Sequence, residues 1–165
     1  MNEIPLTEDW LRLEEVLIPF LVRCGAAAVC GAMVGLEREL RQKPAGFRTN
    51  ILICIGAAMY MTIGLLVVQD GKQPGDPMRI AAQVVTGIGF LGAGTIIQSG
   101  RRVTGLTSAA TIWVVAAIGI IAGAGYPILA FVSSCLVVLT LVLLREVENR
   151  FLDPSSSDDG SGPPD

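Results

Sequence analysis

Five apolar runs divide the chain, at about residues 16–36, 50–68, 80–97, 107–124 and 126–144. Each is roughly 18–21 residues long, enough to cross a hydrocarbon core near 30 Å as a helix. Leu, Ile, Val, Ala and Gly fill them without the alternation a barrel strand needs. Lipid cannot satisfy free backbone groups, so helices are required. The pattern predicts an all-α integral membrane protein, a compact bundle of five transmembrane helices with Gly-rich packing.

Charges between the runs orient them. The first connection, ERELRQKPAGFR, carries Arg38, Arg41, Lys43 and Arg48; the third carries Arg101 and Arg102; the C-terminal flank carries Arg145 and Arg150. The second connection balances Lys72 and Arg79 against Asp70 and Asp76, and the fourth, around Gly125-Tyr126-Pro127, is uncharged. Basic segments stay cytoplasmic. All three basic segments then give one answer: N-terminus outside, C-terminus cytoplasmic.

The ends differ from the middle. Residues 1–15, MNEIPLTEDWLRLEE, read as an acidic periplasmic segment, with Thr7 or Asp9 capping a short interfacial helix anchored by Trp10. The acidic start and the interruption at Arg23 argue against a secretory leader. Residues 16–146 form the membrane domain. Residues 147–165, rich in Ser, Asp, Gly and Pro, are expected to be an acidic, disordered cytoplasmic tail.

Composition agrees: 52% of residues are hydrophobic, 16% are charged, and the mean hydropathy is +0.60. These values fit a membrane class. No basic stripe with interleaved aromatics is present, so nucleic acid is not an expected partner. Histidine is absent, which removes the commonest acid–base group and metal ligand. Cys24, Cys30, Cys54 and Cys135 lie inside apolar runs without C-x-x-C spacing. They read as small, buried, reduced hydrophobes, with no metal and no cofactor implied. Ser133-Ser134 has no base partner, and no intramembrane acid pair exists, so no catalytic residue and no enzyme activity are expected.

The third run contains GIGFLGAG. Gly87, Gly89, Gly92 and Gly94 strip side chains from much of it, as do Gly31 and Gly35 in the first run and Gly119 and Gly123 in the fourth. Small residues at this spacing let helix backbones approach closely, within the bundle or in a homo-oligomer. The alternative is a kinked helix lining a polar path, with Arg23, Gln83, Thr86, Thr95 and Gln98 as the intramembrane polar candidates. Arg23 has two readings of its own: it snorkels to the outer interface, or it pairs inside the bundle.

The stretch 35-GLERELRQKPAGFRTN-50 carries the densest charge. Glu37 and Arg41 are four apart, in the favoured order for a helical pair. Pro44 and Gly46 break the helix, and Thr49 or Asn50 then caps the second span. Free N–H groups at that start, beside Arg48, suit an anion such as a lipid headgroup phosphate. Two glutamates in a basic loop are not needed for orientation. Glu37 and Glu39 therefore read as partners for Arg38, Arg41, Arg48, Arg101 or Arg102 in a charge cluster at the cytoplasmic rim. A shift of 59 aligns Gly35 with Gly94, Gly46 with Gly105 and Gly64 with Gly123, a weak echo consistent with a parallel repeat of two hairpins.

GLERELRQKPAGFRTNILICIGA, followed by VVTGIGFLGAGTII and GLTSAATIWVVAAIGIIAGAGY, resembles the MgtC/SapB family of bacterial inner-membrane proteins, over roughly residues 20–145. The resemblance implies a multi-pass inner-membrane bundle with importance at Glu37, Arg38, Glu39, Gly46, Arg48, Thr49, Gly87, Gly89, Gly92, Gly94, Gly105, Thr107 and Trp113. It also implies a link to magnesium-poor conditions and a regulatory action on the membrane-embedded ATP synthase. Some family members carry a cytoplasmic domain after the last span, where this sequence has a short acidic tail.

Two function classes follow. One is a non-enzymatic regulator acting through helix contacts on a membrane complex. The other is a small oligomeric ion channel or transporter. An ion-flux assay in proteoliposomes separates them; glycines of the third run that point at lipid would favour a partner surface, and glycines turned inward would favour internal packing only.

Overall fold

A computed structural model describes residues 6–69 and 76–151. The expected charge balance at Asp70 and Lys72, and the tail from residue 152 onward, lie outside the described residues. The elements are α1 (Leu6–Leu40), α2 (Phe47–Gln69), α3 (Pro77–Ala93), β1 (Ile97–Ser99), β2 (Arg102–Thr104), α4 (Leu106–Gly123) and α5 (Pro127–Phe151). The chain is an all-α membrane protein; the described residues hold five helices, of which four are long and apolar enough to cross a membrane. The short one is α3, with 17 residues.

Four boundaries differ from those read in the sequence. The acidic start is not a separate interfacial helix: α1 is continuous from Leu6, so Thr7 and Asp9 lie inside it. At the other end, α5 continues to Phe151, five residues into the expected tail. The start of α2, at Phe47, comes before both Thr49 and Asn50, so neither caps it. The third run ends as helix at Ala93, not 97. Glycines at 92 and 94 weaken helix there, and β-branched Thr95, Ile96 and Ile97 favour extended backbone. Ile97–Thr104 then forms a two-stranded antiparallel hairpin, pairing Ile97 with Thr104 and Ser99 with Arg102. Gly100 turns it with φ +61.

Local signals fix the helix starts. Asp76 accepts a hydrogen bond from the Met78 amide at 2.9 Å, and Pro77 follows it as the first helical residue. That order suits a helix N-terminus, where the missing proline N–H would have no partner. Gly105 precedes α4 with φ +90, a left-handed conformation that other residues adopt at a cost.

The centre of the bundle is α2, packed between α1 and α4; α5 closes against α1 and α4, while α3 leans on α4 and α2. The core is built from small side chains: Ala27, Cys30 and Val34 of α1, Cys54 and Ala58 of α2, Val115, Ile118 and Ala122 of α4, and Ala130 of α5. Small residues permit close backbone approach, and dispersion then holds helices together where lipid offers no hydrophobic driving force. Of the four free thiols only Cys30 and Cys54 are buried; Cys24 is half-buried and Cys135 is exposed. An apolar run in lipid has an outward face as well as an inward one, so apolar context alone does not mean burial.

The 59-residue echo has a structural counterpart in its second members. Adding 59 to Phe47 gives Leu106, and both open a helix directly after a glycine. The first members differ: Gly35 is inside α1, whereas Gly94 already caps α3.

Candidate functional site

The turn between α1 and α2 is held by its own charges. Glu37 and Arg38 are both buried and form an ion pair through Glu37 Oε2. Arg41, one turn on, brings its Nε to 3.7 Å from Glu37 Oε1. That oxygen is buried without a hydrogen bond, so the longer ionic contact is what meets it. Glu39 turns the other way, and its Oε2 accepts the Phe47 amide at 2.9 Å. A carboxylate there satisfies a free N–H and meets the positive end of the helix dipole. Gly46 leaves room for it: a Cβ at 46 would push the Glu39 carboxylate out of this position.

The start of α2, which the sequence offered to an external anion, is therefore met by the chain's own carboxylate. Arg48 and Thr49 are exposed beside it and line a surface hollow of about 600 Å³ with Lys43 and Glu39. Arg101 is exposed at the hairpin turn; Arg102 lies on β2, its side chain outside the described set. Among the described residues Glu37 pairs with Arg38 and Arg41 alone. Among the described residues the ion pairs of Glu37 are local to α1 and the turn that follows it.

Asn50 acts as a structural pin that the sequence reading did not identify. It is fully buried, and its Nδ2 donates to the carbonyls of Ala45 at 2.9 Å and Gly46 at 2.8 Å. An Asn on the first turn of an apolar helix is the signal that could have found it, since a buried amide needs partners.

The intramembrane polar candidates are not brought together. Arg23 Nη1 donates to the Gly123 carbonyl at 3.1 Å, a half-buried contact between α1 and the end of α4. Thr62 of α2 donates to the same oxygen, also at 3.1 Å. The hydroxyls of Thr86 and Thr95 donate within their own chain segment, to Ala82 and Gly92. Gln98 sits on the hairpin and donates to Gly100. Gln83 lines a groove between α2 and α3, and Thr95 lines a separate hollow with Leu52, Phe90 and Ile112.

The glycines separate into two sets. Gly31 and Gly35 of α1 and Gly119 and Gly123 of α4 face inward on α2, whereas Gly25 of α1 has nothing within 4 Å of where a Cβ would stand. A Cβ at Gly31 would come within 2.8 Å of the Asn50 carbonyl oxygen, and one at Gly35 within 2.9 Å of Phe47 backbone. At Gly119 and Gly123 it would strike the Cys54 and Ala58 carbonyls. Gly92 of α3 packs on Ala109 of α4, and Gly94 has only the end of its own helix nearby. By contrast, Gly87 and Gly89 of α3, and Gly56 of α2, have nothing within 4 Å of where a Cβ would stand. Gly56 and Gly87 lie in a groove of about 740 Å³ that also touches Leu52, Tyr60, Arg79 and Gln83. Trp113 of α4 is exposed on the outer surface of the bundle.

A family model described as the MgtC family matches residues 25–150. The chain is 41% identical over 135 residues to protein MgtC of Salmonella typhimurium, covering 82% of this chain and 56% of that protein. It is 41% identical over 138 residues to a protein of Escherichia coli K12 named putative magnesium transporter YhiD, covering 81% of this chain and 64% of the relative. With protein MgtC of Brucella abortus it shares 44% identity over 119 residues, which is 72% of this chain and 48% of the relative. The chain thus spans less than two thirds of the length of these relatives. No solved structure matches it.

Proposed function

The chain belongs to the MgtC family, and from that premise we propose that it is a non-enzymatic regulator of the bacterial inner membrane, which seats a transmembrane helix of another complex in the α2–α3 groove. The observation that supports this is the contrast between the glycine sets. Gly31, Gly35, Gly119 and Gly123 are already in contact with a neighbouring backbone, whereas Gly56 and Gly87 each leave an unfilled position in a mostly apolar groove. Such a groove lets a partner helix approach closely, and close approach is what drives association in lipid. By family analogy the partner is the ATP synthase, and the setting is adaptation to low magnesium.

Transport is the second reading. The name of the Escherichia coli relative favours it, as do Arg79 and Gln83, the polar side chains in the groove. Two assays separate them. In the first, the tagged protein is purified from native membranes beside its Gly87→Leu variant. Recovery of ATP synthase with the parent and its loss with the variant support the regulator; equal recovery overturns the groove as docking site. In the second, ion flux is measured in proteoliposomes. Flux above empty vesicles that disappears with Gln83→Leu overturns the regulator reading in favour of transport.

A further inference from the structure

We propose that a polar cavity at the opposite side of the bundle binds an anionic phospholipid, with its phosphate among Arg38, Lys43 and Arg145 and one acyl chain along α4 and α5. The cavity, about 470 Å³, lies between the end of α1, the start of α4 and the end of α5. It is lined by those three cations and one carboxylate, Glu148. Arg38 is 3% exposed and its guanidinium is fixed by Glu37, so a charged donor group is already held in place before any ligand arrives. Thr107, on the first turn of α4, lines the same cavity. No side chain caps that helix start, since Gly105 precedes it.

The two helix starts related by the 59-residue shift are solved differently. At α2 the chain supplies an anion, the Glu39 carboxylate, to the Phe47 amide. At α4 it supplies cations around an uncapped start. Free amides, the helix dipole and nearby arginine and lysine are the elements of a phosphate site. Beside it runs a second hollow of about 240 Å³, between α4 and α5, lined by Ala110, Val114, Leu136 and Val137. Thr107, Thr140 and Leu141 line both spaces. A charged chamber that continues into an apolar groove has the polarity sequence of a lipid: phosphate first, acyl chain next. Free phosphate would use the chamber and leave the groove without a role.

The test is native mass spectrometry of the full chain released from detergent with phosphatidylglycerol, with phosphatidylcholine, or with inorganic phosphate. Phosphatidylglycerol adducts are expected to survive best. Lys43→Gln combined with Arg145→Gln is expected to lower their retention roughly tenfold, from two lost cations near an anionic headgroup. Arg101→Gln, a cation outside the cavity, is expected to change it little. Ala110→Leu narrows the groove without touching a charge and is expected to weaken the same adduct. Both altered side chains of the double variant are exposed, and circular dichroism checks that the helices remain. An equal loss with Arg101→Gln would overturn the site, as would indifference to Ala110→Leu or full displacement of the lipid by inorganic phosphate.

Discussion

Arg23 donates to the carbonyl of Gly123 at 3.1 Å, joining α1 to the last residue of α4 across 100 positions of sequence. The final carbonyls of a helix carry its negative pole and lack intrahelical donors, so a guanidinium there is doubly matched. Removing it by Arg23→Leu is expected to cost about 2 kcal/mol, read as earlier unfolding in a denaturing-detergent titration. Arg23→Lys should recover part of the loss, because charge returns without the planar donor fork. Equal stability of Arg23→Leu and the parent would show that this contact contributes nothing.

Two glycine substitutions should move stability in opposite directions. Gly119→Leu forces a side chain into the Cys54 carbonyl of α2, and overpacking of this kind costs about 1–3 kcal/mol or more. At Gly87 a Cβ would have nothing within 4 Å, so Gly87→Leu has open groove to enter and replaces a poor helix former, and a gain of about 1 kcal/mol is expected. The same titration, run on both variants, checks the pair.

The buried Glu37–Arg38 pair predicts strong asymmetry. Glu37→Gln strands Arg38 without its counter-charge, at an expected cost of about 3 kcal/mol. Changing both residues, Glu37→Gln with Arg38→Met, should cost less than the single change. A double-mutant cycle measures the coupling directly; strict additivity would rule the pair out as an energetic unit.

Gly105 meets two demands at once. It holds φ +90, and a Cβ there would run into the Thr95 carbonyl where the hairpin leaves α3. Gly105→Ala is expected to displace the hairpin at a cost of roughly 1–3 kcal/mol. Limited proteolysis would read this as faster cleavage within residues 95–105 than in the parent.

Span-length apolar runs and their charged flanks made the helices legible, because burial in lipid is a composition rule before it is a geometric one. What composition could not show was depth and direction. The run through residue 97 stops as helix at Ala93, where local β preference outweighs hydrophobicity. Glu37 and Arg41 emerged as partners because i,i+4 spacing is local; Glu39 did not emerge as the α2 cap because its reach depends on how the 41–46 turn folds. Likewise, the glycines look alike in the sequence. Gly119 is pressed against a backbone and Gly87 is not, a difference that only the placement of α2 decides.

The hairpin also fixes how the bilayer meets this molecule. Strand edges carry unpaired amides and carbonyls that hydrocarbon cannot accept, so Ile97–Thr104 suits the headgroup level and not the hydrocarbon. From that level α3, with its 17 residues, reaches only about 26 Å, a few ångströms less than a typical hydrocarbon core. Lipids along its flank would have to shorten or tilt to match, while those beside the longer α5 would not. Hydrophobic mismatch of this sort favours the replacement of strained lipid by protein. The thin side of the molecule is the side with the open groove.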